Sequence, residues 1–209
     1  MNIYSQNGED LIVAKFFNGY TGTLLSLGEN DGRTLSNCLS FIEDGWIGCV
    51  VEPSPTAFKK LQELHEGNDL IYCRNVAVGA KAGKLPFWDS GEHLGIGDSS
   101  LLSTLKESEL DRWKGSNNTF HNTEVEVVTF KMLLDSIPIK KFDLISIDIE
   151  GVELDILPDM DFKEMETKCV IIEWNSNMNV FNQYVKIFDS FCFKLLHQNG
   201  ENLIFINND

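Results

Sequence analysis

Positive charge is scarce in this 209-residue chain: 17 lysines and arginines stand against 32 aspartates and glutamates, a net charge of -15 at pH 7. A surface of that sign repels phosphate backbones, so neither nucleic acid nor an anionic membrane is an expected partner. The chain has no run of 18 apolar residues and no signal-peptide pattern at its start, so it reads as cytoplasmic with no membrane partner. Its five cysteines (Cys38, Cys49, Cys73, Cys169 and Cys192) form no CxxC pair. Free thiols in a reducing compartment are expected from that usage. The four histidines make no HxxxH or HxH pattern, which leaves a zinc site without its usual donors. Internal repeats, low-complexity tracts and a GxGxxG turn are also missing.

What remains is ordinary globular material, 43% hydrophobic and 23% charged, of a length that suits a single domain over 1–209. Apolar runs alternate with helical patterns. Strands are expected at 23–28, 47–52, 70–78, 142–148 and 168–174, and helices at 34–44, 54–66, 152–157 and 180–191. Ser54 and Pro55 read as the N-cap and first turn of their helix. "KLLHQ" (194–198) and "NLIFIN" (202–207) read as a hairpin around Asn199-Gly200. The central runs are continuously apolar, as strands covered on both faces must be, so the expected class is α/β, with parallel strands joined by helical crossovers. The stretch 79–122 is the least regular and reads as a cover or acceptor-binding region; it holds "DSGEHLGIGDSS" (89–100), and its length suggests an active-site cover loop or local disorder.

In such a sheet, ligands bind beyond the C-terminal ends of the strands. Those ends here deliver Gly28-Glu29-Asn30-Asp31-Gly32, Glu52, Asn75, Asp148 with Glu150, and Glu173 with Asn175. The glycine turn either allows a close approach to a ligand or to another part of the chain. Glu52 lies 24 residues after Gly28, where an acid accepts both hydroxyls of a ribose. Glu29 and Asp31 would repel a dinucleotide's phosphates, which disfavours a dinucleotide-dependent oxidoreductase. They tolerate a ligand that carries an ammonium and a sulfonium, such as S-adenosylmethionine. Asp148 and Glu150 alternate as i and i+2 and are expected on one side of their strand end, as proton acceptor or orienting group for an acceptor.

The blocks "YSQNGEDLIV" (4–13), "LGENDGRTLSN" (27–37), "VVEPSPTAFKKL" (50–61), "NVAVG" (75–79), "DSSL" (98–101) and "FDLISIDIEGVELDIL" (142–157) resemble, in order, those of the FkbM-type methyltransferases. That resemblance implies a class I methyltransferase (Rossmann-like) fold: a seven-stranded, mostly parallel sheet with helices on both faces and a C-terminal antiparallel hairpin. It implies O-methylation, often of sugar hydroxyls, with S-adenosyl-L-methionine as cofactor. The partners it implies are a small-molecule or glycan acceptor and a fused or associated glycosyltransferase. Carried onto this chain, the cofactor-binding residues are Gly28, Glu29, Asn30, Gly32, Glu52, Pro53, Asn75, Val76, Ala77, Ser100 and Asp148. The catalytic pair is Asp148 and Glu150, and the acceptor is met by Glu150, Glu173, Trp174, His93 and Gln6. No metal is expected; were a divalent ion to bind, Asp148 and Glu173 would be its first ligands.

The chain departs from the pattern at Ser26, where the family has an acid, and at Glu29, where it has alanine. It departs again at Phe130-Lys131, where the family has Leu-Asp. The Ser26 departure gives room to an alternative, a catalytically inactive methyltransferase fold that serves as a binding module.

Overall fold

The computed structural model describes residues 2–207. Its strands are β1 (Thr23–Leu27), β2 (Ile47–Val51), β3 (Ile71–Arg74), β4 (Ala77–Val78), β5 (Gly83–Ser90), β6 (Phe120–Val128), β7 (Leu144–Ile147), β8 (Cys169–Glu173), β9 (Lys194–Gln198) and β10 (Asn202–Ile206). The helices are α1 (Glu9–Phe17), α2 (Leu39–Glu43), α3 (Pro55–Leu64), α4 (Phe130–Asp135), α5 (Glu153–Ile156) and α6 (Met178–Ser190). Seven strands form the main sheet in the order β3-β2-β1-β7-β8-β10-β9, and β10 runs antiparallel to both of its neighbours. The expected closing hairpin is therefore present, turning at Asn199–Gly200 with the Asn199 amide donating to the Asn202 carbonyl at 3.0 Å.

The two-residue side-chain period of a strand sorts the core onto the two sheet faces. Leu24, Val50, Leu144, Ile171 and Ile204 point to one face, where Val13 of α1, Phe41 of α2 and Leu61 of α3 cover them. Leu25, Leu27, Val51, Ile145, Ile147 and Ile172 point to the other, beneath Phe130 of α4, Ile156 of α5 and Tyr184 and Phe188 of α6. With both faces covered, the four central strands are almost wholly buried, and their continuous apolar runs follow from that. Ser54 caps α3, its hydroxyl accepting from the Ala57 amide at 3.5 Å, with Pro55 in the first turn.

Three local expectations need correction. The helix expected over 34–44 begins only at Leu39. Leu35 sits at φ +58°, and the Ser36 hydroxyl accepts from the Cys38 and Leu39 amides at 3.1 and 2.9 Å, so the chain turns there before it coils. The strand expected over 70–78 is two strands in two sheets. β3 stays in the main sheet, while β4 pairs with β6 in a small sheet of order β4-β6-β5. Asn75 lies at the break, its amide donating to the carbonyls of Glu52 and Pro53 at 2.8 and 3.1 Å. Finally, 79–122 is not irregular throughout. β5 pairs antiparallel with β6 along its whole length, from Gly83 against Val127 to Ser90 against Phe120, and a 3₁₀ helix spans Glu107–Trp113. β5 is an edge strand that tolerates Pro86 and leaves its first four residues exposed, so it carries little hydrophobic pattern.

Candidate active site

The C-terminal ends of β1, β2, β7 and β8 open on one cleft, with 93–105 and Arg112-Trp113 on its far wall. The glycine turn after β1 owes its first residue to the protein's own backbone. Gly28 sits at φ +82°, and a Cβ on it would lie 1.7 Å from the Asp148 carbonyl oxygen. The Asp148 amide donates to the Leu27 carbonyl at 2.9 Å, which ties the end of β7 against this turn. Gly32, at φ +78°, closes on Leu61 and Leu64 of α3. The turn therefore packs tightly on its own frame and leaves its side chains to face the cleft.

Glu29 is one of those side chains. It is 4% exposed, and its two carboxylate oxygens accept from the hydroxyls of Ser26 and Ser36. Burial pushes its carboxyl up to about 7, against the pull of those two hydrogen bonds. A buried carboxylate thus stands three residues after Ser26 and is hydrogen-bonded to its hydroxyl. Across the turn, Glu52 receives the Asn30 amide at 2.9 Å on one oxygen and the Ser54 amide at 2.7 Å on the other. It is 4% exposed, and burial raises it to about 8 despite both amides. Asn30, itself at φ +51°, donates its side-chain amide to the Ser99 carbonyl at 2.9 Å. Ser100 exchanges a 2.9 Å hydrogen bond with Ser54. The expected cover loop is therefore fastened to the Glu52 side of the cleft, through Asn30 and Ser54.

On the opposite side, Asp148, Glu150 and Glu173 bring carboxylate oxygens within 4.8 Å of one another. Glu150 stands at φ +51°, in a turn held from below by Glu153, whose carboxylate accepts from the amides of Ile149 and Gly151 at 3.1 to 3.2 Å. Arg112 reaches Glu150 at 3.4 Å and Glu109 at 3.2 Å. Thr104 donates to the Glu150 carbonyl at 2.7 Å, and Lys106 to that of Gly151 at 2.6 Å. Three like charges in one buried place cannot all ionise freely. Burial, then the charge of Glu153, raises Asp148 to about 7, with Arg112 opposing. Burial and Asp148 hold Glu150 well above the ordinary range, and burial with Glu150 does the same to Glu173.

Of the residues expected here, Gln6, Gly28, Glu29, Asn30, Glu52, Pro53, Val76, Ala77, His93, Ser100, Asp148, Glu150 and Glu173 all line the cleft. Gly32 and Asn75 stand behind it, one against α3 and the other bracing the end of β2. Trp174 is turned into the core: it is 6% exposed, donates its indole N–H to the Asn199 carbonyl at 2.9 Å and packs on Phe181. Ser36, Asn37, Ser146, Arg112 and Trp113 line the cleft without having been expected there. Arg112 and Trp113 come from a segment with no strand or helix period, so only tertiary structure reveals them. Glu153 was legible as the last acid of "IDIEGVE".

A mostly parallel seven-stranded sheet with β10 alone reversed, and a cleft across the strand ends at β1, β2 and β7, defines the class I methyltransferase fold. Solved structures of that fold superpose on most of the chain. Ribosomal protein L11 methylase from Lactobacillus delbrueckii subsp. bulgaricus does so with a TM-score of 0.55 at 12% identity, over 98% of this chain and 79% of that one. Precorrin-6y C5,15-methyltransferase from Geobacter metallireducens GS-15 gives 0.50 at 9%, over 97% and 88%. No curated protein matches. The model of the methyltransferase FkbM domain matches residues 26–201, and the chain belongs to that family. Among the described residues, no helix is long and apolar enough to cross a membrane.

Proposed function

We propose that the protein is an S-adenosylmethionine-dependent O-methyltransferase whose acceptor is a sugar hydroxyl of a glycan or glycoside. The observation that carries this reading is the convergence of Asp148, Glu150 and Glu173 at one end of a cleft whose other end holds Glu52 and Glu29. The lining has the chemistry the cofactor needs: six carboxylates (Glu29, Glu52, Asp148, Glu150, Glu173 and Glu201) face it, and Arg112 is the one lysine or arginine among the described residues that line the cleft. That set matches a ligand with cationic groups and a diol, and Glu52 keeps lone pairs free beyond its two backbone amides. Glu52 would hold the ribose, with Pro53, Val76 and Ala77 beside it, and Gly28 to Asn30 and Ser100 along the rest. S-adenosylmethionine supplies an electrophilic methyl group on a cationic sulfur.

The chain's own task is then to present a hydroxyl and remove its proton as the carbon–oxygen bond forms. Asp148, held at about 7, is partly ionised at neutral pH and suits that role. Glu150, fixed by Arg112 and Thr104, orients the acceptor, and Glu173 accepts from a neighbouring hydroxyl. Gln6 and His93 meet the acceptor at the rim; His93 is steadied by Asn118 at 3.1 Å and by the edge of Trp113. An inactive binding module is the weaker reading, because Glu29 on Ser26 restores the acid whose absence suggested it. The test is a labelled-methyl assay against a panel of free and glycoside-linked sugars. Label in a sugar supports the proposal, and its absence from every sugar, with cofactor bound, argues for a different acceptor.

A further inference from the structure

Glu173 ends β8 and Asn202 begins β10, and the two stand directly opposite each other in the antiparallel pair. Opposed residues put their side chains on one face, with Cβ atoms about 4.5–5.5 Å apart. Here that is the face covered by α1, because Glu173 and Asn202 keep step with Ile171 and Ile204. Both line the cleft, and they are 9% and 5% exposed. The Asn202 side-chain amide donates to Glu9 at 2.9 Å. Glu9 lies below the ordinary carboxylate range, because burial is outweighed by hydrogen bonds that include those from Asn202, Asn7 and Asn199. An ionised Glu9 only accepts, so Asn202 faces it with its nitrogen and turns its oxygen away. That oxygen is buried and has no partner among the described residues. The Glu173 carboxylate likewise meets no donor among them. Arg112, the cation of the cleft lining, is taken by Glu150 and Glu109. Glu173 and Asn202 thus present acceptors alone, and buried acceptors left unpaired are costly enough that few are kept without a use.

We propose that Glu173 and Asn202 bind a protonated amine on the acceptor, so that the substrate is an amino sugar methylated on a hydroxyl near its amino group; this deepens the sugar reading given above and rests on it. An ammonium brings three donors and a charge, which suits a carboxylate beside an amide oxygen. Glu173 has two oxygens and can take a neighbouring hydroxyl as well. An ammonium has no lone pair, so an amine held protonated at Glu173 is no nucleophile. The hydroxyl presented to Asp148 is left as the group that takes the methyl.

The experiment uses methyl glycosides of 2-, 3- and 4-amino-deoxy sugars, each beside its hydroxyl parent and its N-acetyl derivative. Calorimetry with S-adenosylhomocysteine and EDTA present measures binding, and labelled S-adenosylmethionine measures turnover. At least one amine is expected to bind and react roughly ten- to hundredfold better than its two neutral counterparts, the range for a hydrogen bond to a charged group. Its label should sit in an ether. Glu173→Gln keeps the shape and removes the charge, so it should cut that preference about tenfold or more. Asn202→Leu should lower the same preference, while Glu9 keeps Asn7 and Asn199 as donors. The ratio between amine and counterpart is the readout, because a misfolded variant loses all the sugars together. A ratio near one in the wild-type protein, an unchanged ratio in both variants, or label on the amine nitrogen would overturn the inference. Absence of label from every sugar, with cofactor bound, would remove the sugar reading and this inference with it.

Discussion

Replacing Gly28 by alanine tests the junction that places Asp148. The added Cβ would meet the Asp148 carbonyl oxygen at 1.7 Å and its carbon at 2.8 Å, both backbone atoms that no side-chain rotation can move. The residue would also keep φ +82°, a conformation that costs an L-residue about 1–2 kcal/mol. Forcing the ends of β1 and β7 apart adds roughly 1–3 kcal/mol, the range for overpacking. The sum is about 2–5 kcal/mol. Gly45 provides the control: it sits at φ +88° with nothing within 4 Å of its would-be Cβ, so Gly45→Ala should lose only the dihedral part. Urea unfolding of both variants at one pH separates the two contributions. Because the displaced backbone carries Asp148, Gly28→Ala should also lose turnover, while Gly45→Ala keeps it. A Gly28→Ala protein no less stable than Gly45→Ala would refute the close approach.

Glu52→Ala should weaken S-adenosylmethionine binding by roughly 1.5–3 kcal/mol, measured by calorimetry; an unchanged dissociation constant would place the ribose elsewhere. Asp148→Asn should slow turnover about 10²-fold or more at saturating cofactor with little change in melting temperature, and survival of activity there with its loss in Glu150→Gln would exchange their roles. Without ligand, stability should fall as pH rises from roughly 4.5 to 8, the window spanned by the shifts of three groups. Burial first of all lifts Glu29, Glu52 and Asp148 to about 7, 8 and 7 from ordinary values of 4.5, 4.5 and 3.8, so the folded chain holds protons the unfolded chain has lost. Glu9 and Asp143 are lowered, their hydrogen bonds outweighing burial, so their contribution disappears only on the acid side of 4.5 and 3.8. Thermal melts should therefore peak near the lower end of that window, and a steady rise in melting temperature towards pH 8 would contradict the assignment. Turnover should persist in EDTA; loss restored by Mg²⁺ or Ca²⁺ but not Na⁺ would make Asp148 and Glu173 the first ligands to examine.

The main sheet was legible because β1, β2, β7 and β8 are covered on both faces, and continuous burial writes a continuous apolar run. β5 is an edge strand with half its residues exposed, so its residues carried no comparable pattern. Glu52, Asp148, Glu150 and Glu173 are legible because they stand at or just past the C-terminal ends of β2, β7 and β8. Asp148 and Glu150 do come together, but not through strand alternation alone: Glu150 has left the strand and stands in a left-handed turn. Trp174 failed for the opposite reason. Period two sends it to the face opposite Glu173, and it joins Ile172 in the core. Arg112, which tempers the acidic cluster, comes from a 3₁₀ segment near 40 positions away in sequence, and no local pattern announces such a meeting.

The central claim is that this cleft moves a methyl group from S-adenosylmethionine to a sugar oxygen. The most direct measurement supplies ¹³C-methyl S-adenosylmethionine with glycosides and follows the label by NMR, which distinguishes methyl on oxygen, nitrogen and carbon. The account predicts a methyl ether on a sugar, formed by the wild-type protein and about 10²-fold more slowly by Asp148→Asn. Label appearing on nitrogen or carbon, or an ether formed as fast by Asp148→Asn as by wild type, would contradict it.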